Sequence, residues 1–584
     1  MRTIIFDFEV FKYDVLLGAL VLENDQEPKL FQSWDKKEIK SFYYMNRDSI
    51  WIGHNNAHYD NFILQAIVTD KDPYETSKLI VDNNIKPKLT IALRYYDLMC
   101  NHFVSLKVVE AQLGKNISET EVDFNLQRAL TEKEKLLTES YNRDDLDQTL
   151  MDTKLLKTEI QLRFDIMKEF KLGYSILRIT ESQIAQQVLK PVRIHGIEDM
   201  IITPTLYPQL QLKNERVKSY FLNKEWEENP EIIVNLCDIP HKVAKGGIHA
   251  AREKVYYDWA FYLDVSGYYN LVMINYDLLP RSLPAEGKEL YKQMYFGQLK
   301  LKGIPELANK RQVYKKICLA VFGAELNKYC AFYDPQKGRL VTLTGEIFLV
   351  DLLEKLEGKI DLIQSNTDGI MVKPINGVSE DTILNIVKEW CERTGFTIKP
   401  TKIYNIWQRD VNNYIYRDDK GHIHTKGEAV KYYNAWDNPF QEDSYSSSTP
   451  YIIHHCIVEY LMNNRLPEDI VEENKRNLRM FQYICKPLTY DYLTFEANGI
   501  VTKLQKVNRC FASKKLGMIY KNKADKHDKY ANLPDNVFIY NNEILSEESV
   551  NNLIDRIDYD YYIKRSYERI KEFKKTQEQL SWDL

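Results

Sequence analysis

The chain has 584 residues, 44% hydrophobic and 28% charged, with a net charge of −5. That composition belongs to an ordinary globular protein and excludes a disordered or collagen-like chain. Its length suggests about four domains. No apolar run reaches the roughly 18 uncharged residues of a membrane span, and Asp7 interrupts the opening apolar stretch, so neither a transmembrane helix nor a secretory leader is expected. Eight scattered cysteines without a C-x-x-C pair argue against a disulfide framework or structural zinc and for a reducing, cytoplasmic setting. The 40 tyrosines suit stacking surfaces without specifying one.

In chain order, Thr3 to Val10 is apolar and β-branched and reads as a strand carrying Asp7 and Glu9. Residues 49–53 read as a second strand. They lead through His54-Asn55-Asn56-Ala57-His58-Tyr59-Asp60 into an apolar helix at 62–68. After Ala129 the composition turns helical, and one helix is expected through Tyr141-Asn142-Arg143-Asp144-Asp145 to about residue 171. Residues 1–165 form the first expected domain, of α/β type. Residues 166–240, punctuated by Pro204, Pro208 and Pro230, read as connecting structure.

A second block opens at Lys245-Gly246-Gly247. Strands are expected at 262–264, 362–364 and 369–372, helices at 305–322 and 345–356, and a strand pair within 409–429 turning at Asp418-Asp419-Lys420-Gly421. Beyond these lie a helix at 449–463, a basic stretch between Lys503 and Lys526, and a closing helix at 561–577. There is no internal repeat.

Asp7 and Glu9 are two apart on a strand, so their side chains share one face of the sheet. Paired carboxylates on one face suit Mg²⁺ or Mn²⁺, which take hard oxygen ligands and substrate phosphates. Alone, such a pair is weak evidence, because most are solvated. Asn56-x-x-Tyr59-Asp60 adds a third carboxylate at a strand-to-helix junction, and Tyr141-x-x-x-Asp145 adds a phenol and a fourth carboxylate one helical turn apart. Asp144 is the adjacent alternative to Asp145. In order and spacing this set resembles the three motifs of the DEDDy 3′–5′ exonucleases of the RNase H-like fold. The resemblance implies that Asp7, Glu9, Asp60 and Asp145 hold two divalent ions. It also implies that Tyr141 orients the attacking water and that Asn56 contacts the DNA.

The second constellation begins at Phe261-Tyr262-Leu263-Asp264-Val265-Ser266-Gly267-Tyr268-Tyr269, an apolar strand ending in an aspartate before an aromatic turn. About a hundred residues on, Ser365-Asn366-Thr367-Asp368-Gly369 reads as a tight turn between two short strands, presenting Asp368. Two aspartates from neighbouring strands can bridge a pair of Mg²⁺ ions around a triphosphate. Between them, Arg311 and Lys315 are i and i+4 on a helix, so both cations share a face that could grip phosphates.

These segments resemble motifs A, B and C of family B DNA polymerases. The A pattern is matched at Asp264, Ser266 and Tyr269, the B pattern at Lys315 and Gly323 with Phe322 for tyrosine, and D-T-D at Thr367 and Asp368. By that resemblance Asp264 and Asp368 carry the metals, Arg311 and Lys315 with Ser266 bind the dNTP, and Tyr269 excludes a ribose 2′-OH. Gly246-Gly247 resembles the element linking exonuclease and polymerase halves, and Lys426-Gly427 a primer-side lysine motif; these are the expected DNA contacts. Asn366 departs from the first aspartate of D-T-D, and Leu319-Ala320 from the Asn-Ser of motif B.

The resemblance implies a multidomain α/β and α+β chain: an RNase H-like exonuclease at 1–165, a right-hand palm at 241–284 and 341–435, fingers at 285–340 and a thumb at 436–584. It implies a monomeric, bacteriophage-type polymerase with proofreading and two Mg²⁺ or Mn²⁺ ions per active site. Its partners would be primer-template DNA, dNTPs and phage replisome proteins, with no membrane. The short intervals from Tyr269 to Lys315 and from Gly323 to Asp368 imply extension of a primer rather than initiation on a protein. A family A polymerase would show a His-Asp-Glu motif C, which Asn366-Thr367-Asp368 does not fit. A non-catalytic replisome scaffold is the alternative from another class, and the retained carboxylates argue against it. His454-His455 and His422-x-His424 suggest a metal only weakly, no third ligand being assigned to either pair.

Overall fold

The computed structural model describes residues 2–23, 26–85, 87–100, 102–120, 122–244, 246–434, 440, 449–515 and 517–574. Lys245, named above with Gly246 and Gly247, lies outside them, as does the end of the expected closing helix. The chain folds as two compact units. One gathers Met1–Thr180, Asn434–His454 and Glu468–Arg565; the other gathers Glu181–Tyr433, His455–Pro467 and Ser566–Leu584. No described helix is long and apolar enough to cross a membrane.

The first unit is built on strands β1 (Thr3–Val10), β2 (Val15–Leu22), β3 (Lys29–Ser33), β4 (Ile50–Gly53) and β5 (Arg94–Asp97). Their order is β3-β2-β1-β4-β5, with β2 antiparallel to β1 and β4 and β5 parallel to it and to each other. Helices α1 (Lys36–Asn46), α2 (Asp60–Val68), α3 (Pro73–Val81), α4 (Leu106–Gln112), α5 (Glu132–Leu155) and α6 (Lys157–Phe170) accompany this sheet. Alternation along β1 sorts its side chains. Ile4, Phe6, Phe8 and Val10 join a core with Ile39 of α1 and Ile63 of α2. Ile5 faces the other way, with Leu146 and Leu150 of α5, and Asp7 and Glu9 share that face.

The helix expected to run unbroken to residue 171 is two helices. Leu156 leaves helical geometry at φ −92°, ψ 8° and buries its side chain in the core. The polar composition on either side is continuous, so nothing local announces the break. At its start, α5 carries a capping box in which Thr131 and Glu134 satisfy each other's backbone amides.

The second unit is organised on a nine-stranded antiparallel sheet of β6 (Glu231–Leu236), β7 (Ile239–Ala244), β8 (Gly247–Ala251), β9 (Val255–Asp264), β10 (Ile360–Asn366), β11 (Gly369–Pro374), β12 (Thr401–Asp410), β13 (Asn413–Arg417) and β14 (Ile423–Lys426). The order is β14-β13-β12-β9-β11-β10-β8-β7-β6. Its helices are α7 (Glu181–Leu189), α8 (Glu215–Leu222), α9 (Tyr268–Asn275), α10 (Ala285–Lys300), α11 (Ala308–Ala324), α12 (Pro335–Leu356) and α13 (Glu380–Thr394).

The segment read as connecting structure holds the end of α6, helices α7 and α8, strand β6 and the start of β7, with short 3-10 turns between them. β6 alternates strictly, burying Ile232, Val234 and Leu236. It turns into β7 through Cys237 and Asp238, both at positive φ, a primed hairpin turn without the usual Asn-Gly signature.

The C-terminal part of the first unit adds β15 (Tyr483–Cys485), β16 (Tyr492–Ala497), β17 (Ile500–Lys503), β18 (Asn508–Ala512), β19 (Met518–Lys523), β20 (Lys526–Lys529) and β21 (Val537–Ile539). They form a three-stranded sheet, β15-β18-β21, and a four-stranded one, β17-β16-β19-β20. Fully buried Arg509 of β18 donates to the carbonyls of Ala111 and Lys115 at 3.2 and 2.8 Å, fastening this segment to the last turn of α4 and the residues just after it.

Candidate active sites

In the first unit, β1 supplies Asp7 and Glu9 and α5 supplies Asp145, and one oxygen of each lies within 4.8 Å of the others. Asp145 takes part, whereas Asp144 points out to solvent. The approach of α5 requires Gly18 of β2, which pairs with Asp7 in register. A Cβ there would stand 1.7 Å from Asn142 Oδ1, and the same Asn142 donates to Asp7 Oδ2 at 3.0 Å.

Asp60 opens α2 and stays outside that triangle. Its Oδ1 accepts from the Phe8 amide at 3.2 Å, so its charge still reaches Asp7 and Glu9. Burial, then the neighbouring carboxylates, hold both Asp7 and Glu9 well above the usual carboxylate range. Burial pushes Asp60 up to about 7. A site that makes its own carboxylates keep protons is one where a cation is favoured in their place.

Lys107 of α4 answers part of this charge. Its Nζ lies 3.0 Å from Asp145 Oδ1 and 3.0 Å from Glu110 Oε2, and 4.7 Å from the centre of the Tyr141 ring. Burial pushes the Tyr141 phenol up from its ordinary value, and the Asp145 charge adds to the shift. Neither Lys107 nor Asn142 was marked by sequence: a single lysine in a helical stretch has no spacing signal. Asn56 is fully buried, and its amide faces the Tyr96 and Gly53 carbonyls at 3.3 and 3.2 Å. It presents no surface to a DNA strand here; it fixes the loop before α2.

In the second unit, β9 and β11 pair so that Asp264 stands opposite Gly369, next to Asp368, and the Val265 amide donates to the Asp368 carbonyl at 2.9 Å. Desolvation and the Asp368 charge push Asp264 up to about 6. Desolvation raises Asp368 as well, while the nearby Lys426 cation of β14 opposes the shift. Three tyrosines surround the pair: Tyr262, Tyr414 and Tyr416 all feel the Asp264 charge.

Tyr269 stacks on Phe322 of α11, centroids 4.5 Å apart and planes at 14°. Arg311 and Lys315 lie on the same helix, Lys315 exposed and Arg311 half-buried. Ser266 donates its amide to the Thr397 carbonyl at 2.8 Å. Gly247 packs against Thr367, where a Cβ would come within 3.1 Å of the hydroxyl; the neighbouring Gly246 is open. The Asn366 side chain is engaged within the fold, its oxygen 3.1 Å from His249 Nδ1 and its nitrogen donating to the Val411 carbonyl at 3.2 Å. On the β13–β14 turn, Asp418 Oδ2 lies 3.2 Å from His422 Nδ1 and 3.0 Å from His424 Nε2, so a nearby carboxylate joins the two histidines that the sequence reading left without a third partner.

No protein-family model matches this chain, and no curated protein matches it. Among solved structures it is similar to the family B DNA polymerase from the hyperthermophilic archaeon Pyrobaculum calidifontis, at 14% identity and a TM-score of 0.42. The overlap covers 98% of this chain and 78% of that one. A likeness of that order leaves the chemistry to the side chains.

Proposed function

We propose that this chain is a DNA-directed DNA polymerase that carries its own 3′–5′ exonuclease. The observation that carries the reading is the presence of two separate carboxylate gatherings, one in each unit: Asp7, Glu9 and Asp145 within 4.8 Å, and Asp264 beside Asp368 across β9 and β11. Every donor is a carboxylate oxygen, the ligand type that Mg²⁺ and Mn²⁺ take. In both places desolvation and like charge leave the carboxylates wanting positive charge. Bound there, such ions would supply Lewis-acid stabilisation of the attacking and departing oxygens of an in-line displacement at phosphorus.

The chain's own residues then divide the work. Asp264 and Asp368 hold the polymerase ions, and Arg311 and Lys315 neutralise the triphosphate. Tyr269, braced by Phe322, lies under the sugar and bars a 2′-OH. In the other unit, Asp7, Glu9, Asp60 and Asp145 hold the exonuclease ions. The Tyr141 phenol hydrogen-bonds the attacking water, and Lys107 keeps Asp145 aimed inward. A cleft of about 810 Å³ in the first unit, lined by Lys486, Lys503, Lys506, Tyr490 and Tyr492, combines cations with stacking surfaces and suits a nucleic-acid strand.

The test is extension of a 5′-labelled primer on a DNA template with Mg²⁺ and dNTPs, alongside degradation of the same primer without dNTPs. We expect both activities and their loss on chelation. A chain that lengthens no primer under these conditions is not a polymerase.

A further inference from the structure

Asp97 is a buried carboxylate with no part in the chemistry above. It ends β5, is 3% exposed, and stands opposite Gly53 in register. Its Oδ1 accepts from the Asn55 amide at 2.9 Å and from the Met99 amide at 2.9 Å, and its Oδ2 from the Ala57 amide at 3.1 Å. The Met99 contact, two residues along, fixes the carboxylate itself. The other two reach into the loop that joins β4 to α2.

That loop needs an outside anchor. Asn55 adopts a left-handed φ of 63°. Tyr59, immediately before α2, sits at φ −143°, ψ −75° and offers no side-chain cap to the helix. The next residue is Asp60, whose carboxylate reaches the Phe8 amide between Asp7 and Glu9.

We infer that Asp97 is a positioning residue for the end-trimming site: by holding the Asn55 and Ala57 amides it sets the loop and, through it, the Asp60 carboxylate. The affinity of that site for its ions then depends on a side chain that does not join the ligand triangle. Supporting carboxylates of this kind typically change metal affinity about 10–100-fold when altered. The inference rests on the exonuclease reading.

The experiment is an Mn²⁺ titration of the full chain without DNA, in an Asp368→Ala background that removes the polymerase cluster's contribution. Hydrogen exchange at the amides of residues 55 and 57 is followed in parallel. Asp97→Asn preserves an oxygen for Asn55 and Met99 but sets an N–H against the Ala57 amide. We expect affinity to fall about 10-fold for Asp97→Asn and further for Asp97→Ala, with faster exchange at residue 57 in both. If Asp97→Ala fails to fold, Asp97→Asn decides alone.

Wild-type affinity in Asp97→Asn, or a loss of affinity with unchanged exchange at residue 57, overturns the inference while leaving the exonuclease reading intact. Mn²⁺ binding that is indifferent to Asp7→Ala overturns both.

Discussion

At the scale of single residues, the proposed function assigns a separate chemistry to each carboxylate cluster. Asp368→Ala should lower nucleotide incorporation by at least about 10³-fold, because it removes an ion ligand supporting several kcal/mol of transition-state stabilisation. Single-strand degradation should stay near wild type. Asp7→Ala should do the reverse. Parallel primer-extension and degradation assays check both, and loss of both activities in either variant contradicts independent sites.

Glu346 of α12 offers a different prediction. It is 1% exposed, and burial holds it well above the ordinary glutamate range, with the Gly247 amide offsetting only part. A carboxyl raised in the folded state stabilises it fully below the unfolded value near 4.5 and loses that contribution as pH climbs towards the folded value. Glu346→Gln should therefore raise the thermal midpoint at pH 8 in a chelator. The gain should shrink towards zero near pH 4.5, by up to about 1.4 kcal/mol per pH unit. A gain that does not vary with pH would show that Glu346 is ionised in the fold.

At the scale of elements, the first site depends on how closely α5 lies on the sheet. Gly18 permits that approach, since a Cβ would collide with Asn142 and would also come within 2.9 Å of Leu146. Gly18→Ala should lift α5 locally, cost roughly 1–3 kcal/mol in overpacking, and pull Asn142 off Asp7. We expect degradation to fall at least about 10-fold with primer extension retained; an unchanged degradation rate would mean the helix moves without taking Asp145 with it. Element types were largely legible in sequence: β1, the hairpin at Asp418 and the helix carrying Lys315 all follow from periodicity and turn chemistry. The break at Leu156 and the strands β6 and β7 were not. The first is decided by a buried side chain, and the second by a turn whose residues carry no hairpin signature.

At the scale of the whole molecule, a net charge of −5 means that the DNA binding proposed above would have to draw on local concentrations of lysine and arginine. Binding to single-stranded DNA should fall steeply with salt, the logarithm of affinity declining by about 0.7 per neutralised phosphate. Lys503→Ala with Lys506→Ala should weaken binding and reduce that slope by about 1–1.5. Titration by fluorescence anisotropy from 50 to 200 mM salt, a range over which six to ten phosphate contacts on a single strand cost about 10^2.5–10⁴ in affinity, measures it. An unaltered slope would place the strand elsewhere than the Lys486–Tyr492 cleft.

The sequence by itself determined which residues are acidic, in what order, and on which kind of element. A two-residue strand period put Asp7 and Glu9 on one face, and a four-residue helical turn put Tyr141 and Asp145 on another; Asp60, Asp264 and Asp368 were singled out by the resemblance to family motifs. Tertiary structure alone decided what those carboxylates meet. Lys107 and Asn142 arrive from separate helices, and Asp97 comes from a strand forty residues beyond the loop it holds. Arg509 of β18 fastens to backbone nearly four hundred residues earlier. Asn56 turns inward to close a loop, and Asn366 turns to His249 and Val411. Contacts of that kind depend on which surfaces pack together and leave no period along the chain, so no local pattern could disclose them.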